Sequence, residues 1–322
     1  MTYKKLFAPD DVVRLAPEGA GQPGVGDQRE GSVYVYSPEV VLAVNVALAT
    51  RRPLLVRGPS GSGKSSLARN VAKVLKWRYY ETVISSRTQA RDLLWEVDLL
   101  RRLHAAQAQG VELGADLTPY VTPGVLWWAF DRKGALRHGE AVRKAAGAAQ
   151  QAPKEPGEQE YPAARAVVLI DEIDKADPDV PNNLLVPLGS LQFRVEETGA
   201  LVETEGKRAP LVFITTNDER ELPAAFLRRC VEIILPQPSE DRLVQIGQAH
   251  FPKTKVSFLR DIAKQVTESA QATDRTGAPS AAEYLDTVRA CVGLKVKPTS
   301  DAWKDVARMT LWKHGRSAGG ES

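Results

Sequence analysis

The run Gly58-Pro59-Ser60-Gly61-Ser62-Gly63-Lys64-Ser65 sets two glycines, Gly58 and Gly63, with four residues between them and follows the second with a lysine and a hydroxyl. Glycines without side chains let backbone amides fold round a di- or triphosphate, and a helix that starts just after them aims its positive end at the same anion. In that arrangement Lys64 reaches the outer phosphates and the Ser65 hydroxyl suits a hard divalent cation, magnesium. Pro59, Ser60, Ser62 and Ser66 complete the candidate nucleotide-binding set with Gly58, Gly61, Gly63, Lys64 and Ser65.

A second run, Val167-Val168-Leu169-Ile170-Asp171-Glu172, delivers two carboxylates at the end of an apolar strand. Asp171 fits the acidic partner of the magnesium. Glu172 beside the terminal phosphate can polarise a water for in-line attack, which favours hydrolysis over binding alone. Such a pair after an apolar run is otherwise a solvated strand end; Lys64 upstream favours the chemical role. Leu211-Val212-Phe213-Ile214-Thr215-Thr216-Asn217 is another apolar strand with a polar end. Asn217 either holds the attacking water or a phosphate oxygen, or starts the turn through Asp218. Arg228 and Arg229 lie between an apolar helix and the next strand. Either they are surface or salt-bridged arginines, or one guanidinium reaches a neighbouring subunit's nucleotide and neutralises charge there.

These residues need a scaffold, and the apolar pattern supplies one. Ser37-Pro38 reads as a hydroxyl N-cap with proline in the first turn, opening a helix whose apolar face is Val40, Val41, Val44, Ala47 and Leu48. Strands are predicted at Pro53 to Val56, Tyr79 to Ile84, Ala166 to Ile170, Leu211 to Thr215 and Val231 to Leu235. Strand, glycine turn and helix at 53–75 form the first half of a βαβ unit. Between the second and third strands a helix is expected through Ala90 to Ala108, then Tyr120 to Phe130. The stretch 132–160 follows, with Pro153 to Glu158 as a solvated or disordered loop. Phe193 leads into a hairpin over 194–207 with its turn at Thr198-Gly199, either a packed element or a solvated flap. Phe193, Trp127 and Trp128 are core aromatics or aromatics facing a channel. Beyond Pro236 the pattern is helical, and Ser280-Ala281-Ala282-Glu283 is a capping box. The division expected is an arm at 1–33, an α/β nucleotide-binding domain at 34–237 and a helical domain at 238–322.

Composition bounds the partners. Lysine plus arginine numbers 43 against 40 acidic residues, so a formal charge of only +3 argues against nucleic acid as the main ligand. No secretory signal or membrane-spanning apolar run is visible, which predicts a cytoplasmic protein without a membrane partner. Cys230 and Cys291 lack metal-ligand spacing and read as reduced, packed thiols.

The four elements in this order, with helices after them, resemble the AAA+ ATPases, in which they are Walker A, Walker B, sensor 1 and the arginine finger. Thr122-Pro123-Gly124-Val125-Leu126-Trp127-Trp128 and Asp171-Glu172-Ile173-Asp174-Lys175-Ala176 further resemble segments of the MoxR-like group. The resemblance implies a P-loop α/β fold with a parallel sheet between helices and a small all-α lid. It implies ATP as substrate with Mg²⁺, Asn217 as sensor 1, and Arg229, or alternatively Arg228, as finger. It also implies a ring, expected to have six subunits, that remodels a protein client or a partner with a von Willebrand factor A domain. The sensor 2 arginine common in the family is missing at Pro279-Ser280, where only Arg275 lies nearby. An ATP-gated scaffold in defence or signalling is the alternative from another class. A nucleic-acid or GTP-dependent restriction-type motor is a further one, opposed by the near-neutral charge.

Overall fold

The computed structural model describes residues 3–14, 31–109, 116–146, 154–156, 161, 165–204, 208–271 and 279–311. Tertiary contacts divide the chain into two units. One comprises 1–7, 42–56 and 71–233; the other comprises 8–41, 57–70 and 234–322.

Along the chain, β1 (Val12–Arg14) pairs antiparallel with β2 (Val33–Val35), so the arm expected at the start carries a short strand. Helix α1 (Pro38–Thr50) follows, with Ser37 Oγ accepting the Val40 N–H at 3.3 Å as its type predicts. Next come β3 (Leu54–Arg57), α2 (Lys64–Leu75) and β4 (Arg78–Val83). The helix expected from Ala90 to Ala108 is broken into a short 3-10 turn, β5 (Trp95–Val97) and α3 (Leu99–Gln109). Tertiary pairing overrides the local pattern there: β5 pairs with β6 (Val121–Pro123), and Leu94 O accepts the Gly124 N–H at 2.9 Å. Helix α4 (Val125–Phe130) and α5 (Arg132–Ala146) lead to β7 (Ala166–Asp171).

Two short helices, α6 (Asp179–Asn183) and α7 (Leu185–Ser190), meet at Leu184. The break follows from Pro187, which has no N–H to give the carbonyl four residues before it. After them come β8 (Gln192–Arg194), β9 (Leu201–Glu203), β10 (Leu211–Thr216), α8 (Ala224–Leu227) and β11 (Val231–Ile234). The remaining helices are α9 (Glu240–His250), α10 (Val256–Gln271), α11 (Ala281–Leu294) and α12 (Ala302–Thr310).

The first unit is organised by a parallel sheet of five strands in the order β11-β3-β10-β7-β4, flanked by helices. Central β7 and β10 are buried along their whole length, as parallel strands covered on both faces must be. Their register pairs Leu211 with Val167 and Ile214 with Ile170, which brings Asp171 and Thr215 to the same level at the carboxyl ends. Trp127, Trp128 and Phe193 belong to the core of this unit: Trp95 stacks on Phe193 at 5.8 Å and Trp127 meets it edge-on at 6.3 Å. The channel alternative for these rings therefore fails. The hairpin β8–β9 turns at Gly199 (φ 69°) as expected, and it is packed, with Val195 and Val202 buried and Glu197 accepting the Trp95 indole N–H at 2.6 Å.

The solvated loop expected at 153–158 is corrected at Glu155, whose carboxylate accepts from Tyr80 at 2.6 Å and from Arg132 Nε at 3.0 and 2.9 Å. The same contacts hold the tyrosine and carboxyl apart in charge. Burial and the Glu155 hydrogen bond push the Tyr80 hydroxyl up, while Glu155 stays below the ordinary carboxylate range because its bonds to Arg132 and Tyr80 outweigh burial. Residues 132–146, the first part of the 132–160 stretch, form α5, which buries Ala135 and Val142.

In the second unit the helices α9 to α12 close on a core of Leu243, Leu259, Ile262, Tyr284, Val288, Cys291 and Trp303. Arg14 Nε and Nη2 donate to Ala249 O and Gln248 O, placing a cation at the carboxyl end of α9 where the helix dipole favours it. Trp312 and Arg275 lie outside the described residues.

Candidate functional site

The glycine loop lies in the second unit, and its shape follows from its composition. Gly58 (φ 142°) could carry no side chain, because a Cβ there would run into the carbonyl oxygen of Leu235. Gly61 (φ 72°) lies against the Ser280 side chain, the N-cap of α11, so closely that a Cβ would displace it, and the Ala282 N–H donates to Gly61 O at 3.3 Å. The loop then enters α2 at Lys64. Its first turn, Lys64-Ser65-Ser66, presents backbone N–H groups that a helix cannot satisfy from within. Lys64 is buried, and its Nζ donates to Gly58 O at 2.8 Å and Pro59 O at 2.9 Å. The Ser62 hydroxyl is buried with no partner among the described residues. A cradle only glycine can form, a lysine within it and an unsatisfied hydroxyl are what a polyphosphate would use. Ser60 and Pro59 complete the turn, with Ser62 N–H bonded to Pro59 O at 3.3 Å.

Tyr34 flanks this loop, its ring edge 3.7 Å from where a Cβ on Gly63 would stand. Its neighbour Tyr36 packs 4.9 Å away, centroid to centroid, and donates to Asn70 Oδ1 at 2.6 Å, so Tyr36 is a structural residue. Arg242 donates to Val35 O at 2.5 Å and faces Tyr34; burial holds its guanidinium below the ordinary arginine range and pushes the Tyr34 hydroxyl up.

The carboxylates lie in the first unit. Asp171 is buried at the last position of β7, and the Thr215 hydroxyl on neighbouring β10 donates to its Oδ1 at 2.5 Å. The same Thr215 oxygen accepts the Glu172 backbone N–H at 2.9 Å. Glu172 turns the chain in the left-handed region (φ 62°, ψ 49°), a conformation that costs a glutamate about 1 kcal/mol. Its Oε2 is 2.7 Å from Lys175 Nζ, and this bond holds the lysine above its usual range. Asp174, also buried, accepts the N–H groups of Asn217 (3.1 Å) and Glu219 (3.0 Å) on one oxygen, while Oδ1 has no partner among the described residues.

Asn217 follows β10 directly, and Asp218 after it is left-handed (φ 61°), so the turn expected at this point exists. Arg228 and Arg229 are exposed just past α8 and form no ion pair among the described residues. As for magnesium, the Ser65 hydroxyl and the Asp171 carboxylate are hard oxygen donors of the kind that ion prefers. No cluster of three or more His, Cys, Asp or Glu occurs among the described residues, and a nucleotide-borne magnesium needs none.

Thr215, Asp174 and Lys175 are the residues that motif reasoning passed over. Thr215 carried a signal: a hydroxyl at an inward position of an otherwise apolar strand needs a partner. Asp174 and Lys175 carried none, because two charged residues after a strand read as solvated.

Residues 53–230 match the family model described as AAA domain (dynein-related subfamily). No curated protein matches the chain. Among solved structures, Thermotoga maritima RuvB, a Holliday junction branch migration motor, is 16% identical, with a TM-score of 0.42 over 85% of this chain and 67% of that one. A point mutant of RuvB gives 15% identity and a TM-score of 0.45 over 88% and 71%.

Proposed function

The chain belongs to the AAA domain family, dynein-related subfamily, and on that premise we propose that it is a MoxR-like ATPase that hydrolyses ATP to remodel a protein partner. The observation that carries hydrolysis is the Asp171–Thr215–Glu172 arrangement, in which one buried hydroxyl holds the Asp171 carboxylate and the backbone N–H of Glu172 at the carboxyl end of the central strand. Ligands of open α/β sheets bind at that end.

In the proposed reaction the loop amides from Gly58 to Ser66 hold the phosphates of ATP. Lys64 exchanges its two loop carbonyls for phosphate oxygens. Ser65 and Asp171 would hold the magnesium that accompanies the nucleotide, Asp171 mainly through water; the ion supplies charge neutralisation on the phosphates. Glu172 takes the proton of the attacking water as its oxygen bonds to the terminal phosphorus and the bond from that phosphorus to the bridging oxygen breaks, releasing ADP; Asn217 orients that water. Tyr34, beside the loop, offers a ring face to the base. The exposed Arg229, or Arg228 beside it, is available to a neighbouring subunit in a ring of six, where it would stabilise the charge of the transferring phosphoryl group. A von Willebrand factor A domain is the partner class this group of ATPases implies.

Glu172→Gln should bind ATP with unchanged affinity and release no phosphate; ordinary turnover in that variant would sink the mechanism. Mixing Arg229→Ala with Lys64→Ala subunits should restore part of the activity each lacks alone. Affinity isolation of Glu172→Gln with ATP, followed by mass spectrometry, identifies the client.

A further inference from the structure

We propose that Lys175 is a positioning residue that clasps Glu172 in a resting geometry, so that each turnover must first exchange the Lys175–Glu172 bond for a Glu172–water bond. The inference rests on the ATPase reading above and deepens it.

Three observations carry it. The Lys175 ammonium is 2.7 Å from Glu172 Oε2, so it takes up an oxygen that a nucleophilic water would need as proton acceptor. The bond is local and built in. Glu172 is fixed by its left-handed backbone and its N–H on Thr215, and the 3-10 turn Ile173–Lys175, closed by Lys175 N–H on Glu172 O at 3.0 Å, sends the chain back toward the carboxylate. Finally, a released ammonium has other acceptors at hand. The charges of Asp174 and Glu219 act on the same lysine, and Asp174 Oδ1 is buried without a donor among the described residues. Glu172 is the lysine's main partner, and the weaker attraction of Glu219 and Asp174 lowers the cost of leaving it.

The strength of the clasp sets the size of the effect. Lys175 is 42% exposed and Glu172 24%, so the pair is partly screened by water and the clasped form is favoured only modestly. Removing it should therefore raise turnover about two- to five-fold. A clasp acting on the carboxylate and not on the phosphate loop should raise kcat and leave KM for ATP unchanged.

The test compares steady-state ATP hydrolysis by the full chain, Lys175→Met, Lys175→Arg, Glu172→Gln and Glu172→Gln/Lys175→Met. The expected result is a raised kcat with constant KM for Lys175→Met, the parent rate for Lys175→Arg, which keeps the cation, and no gain in the double variant. A Lys175→Met rate equal to or below the parent, with Glu172→Gln inactive, overturns the clasp and leaves the ATPase assignment standing. Equal gain in Lys175→Met and Lys175→Arg also overturns it, because the charge would then be irrelevant. Nucleotide binding without hydrolysis in every variant, Lys175→Met included, defeats both. Circular dichroism melting of each variant separates these outcomes from misfolding.

Discussion

Replacing Thr215 by valine keeps the shape of the side chain and deletes one oxygen, and that oxygen has two duties. It donates to the buried Asp171 carboxylate at 2.5 Å and accepts the Glu172 N–H at 2.9 Å, on a residue with no solvent exposure. A hydrogen bond to a charged acceptor contributes about 1.5–3 kcal/mol. The N–H left without its acceptor costs about 1 kcal/mol more, because Glu172 is only partly buried and water can take up some of the loss. No cavity opens, so Thr215→Val should lose about 3 kcal/mol. For a unit of this size that corresponds to a fall in Tm of about 6–12 °C. Turnover should fall further than stability implies. With the Asp171 carboxylate and the Glu172 backbone both untethered, a displacement of about 1 Å can cost a hundred-fold in rate. Thr215→Ser keeps the oxygen and loses a methyl, so it should cost about 1 kcal/mol and retain most of kcat. Differential scanning fluorimetry and a phosphate-release assay on the three proteins decide the matter. A Thr215→Val protein that melts within about 2 °C of the parent and turns over at the parental rate would refute the reasoning. One that melts early but keeps its kcat would refute the positioning role alone.

Other substitutions test the remaining contacts. Gly61→Ala must adopt φ 72° and displace the Ser280 cap of α11, so nucleotide affinity, read with a fluorescent ATP analogue, should weaken at least about ten-fold; parental affinity would show that the loop and α11 are independent. Asp174→Ala removes the acceptor of two backbone N–H groups and should cost about 2–3 kcal/mol in urea denaturation, whereas Asp174→Asn keeps an oxygen and should cost about half as much; equal losses would show that the loop is held by something else. His250 is pushed down to about 4 by burial, reinforced by Arg289 and Arg14. A base whose folded value lies below its unfolded value of about 6.5 takes up a proton on unfolding. Its stabilising contribution is therefore complete above pH 6.5 and is lost by about 1.4 kcal/mol per pH unit as pH falls toward 4. His250→Gln should show a shallower decline of Tm between pH 6.5 and 4.5, and an unchanged slope would contradict the burial of the ring.

What the sequence made legible were features that depend on short-range chemistry. The phosphate loop was readable because a run of glycines followed by Lys64 has few structural explanations. Central β7 was readable because only a strand covered on both faces is apolar at every position up to Asp171. The Ser280 capping box was readable because its two reciprocal bonds lie within four residues, and the structure shows Ser280 N–H on Glu283 Oε2 at 2.9 Å. The failures came where distant residues decide. Ala90 to Ala108 has helical spacing, yet β5 is claimed by β6 from beyond α3, through register pairs such as Trp95 with Pro123. Glu155 sits in a proline- and glycine-rich stretch that looks solvated, and nothing local shows that Arg132 and Tyr80 wait for it. Charged residues are hardest to place from sequence, since an ion pair within a site and a solvated surface residue have the same composition.

The same asymmetry explains why Glu172 needs so much support. A carboxylate that must abstract a proton has to be held in one orientation while staying close to solvent, and here its backbone adopts a left-handed conformation unfavourable by about 1 kcal/mol. The N–H bond to Thr215 offsets that strain by a comparable amount, and Thr215 is itself held by Asp171, whose main-chain oxygen accepts from Ile84 on the adjacent chain segment at 2.9 Å. Strain at Glu172 is thus transmitted to the buried strands, which have no room to relax, and not to the exposed turn after it. It follows that substitution of the half-exposed Lys175 at the end of the 3-10 turn should alter rate with little effect on stability. Substitutions at Thr215 should alter both. That contrast is measurable in a single set of proteins, and its absence would mean that the geometry of Glu172 is set by something other than the strand beneath it.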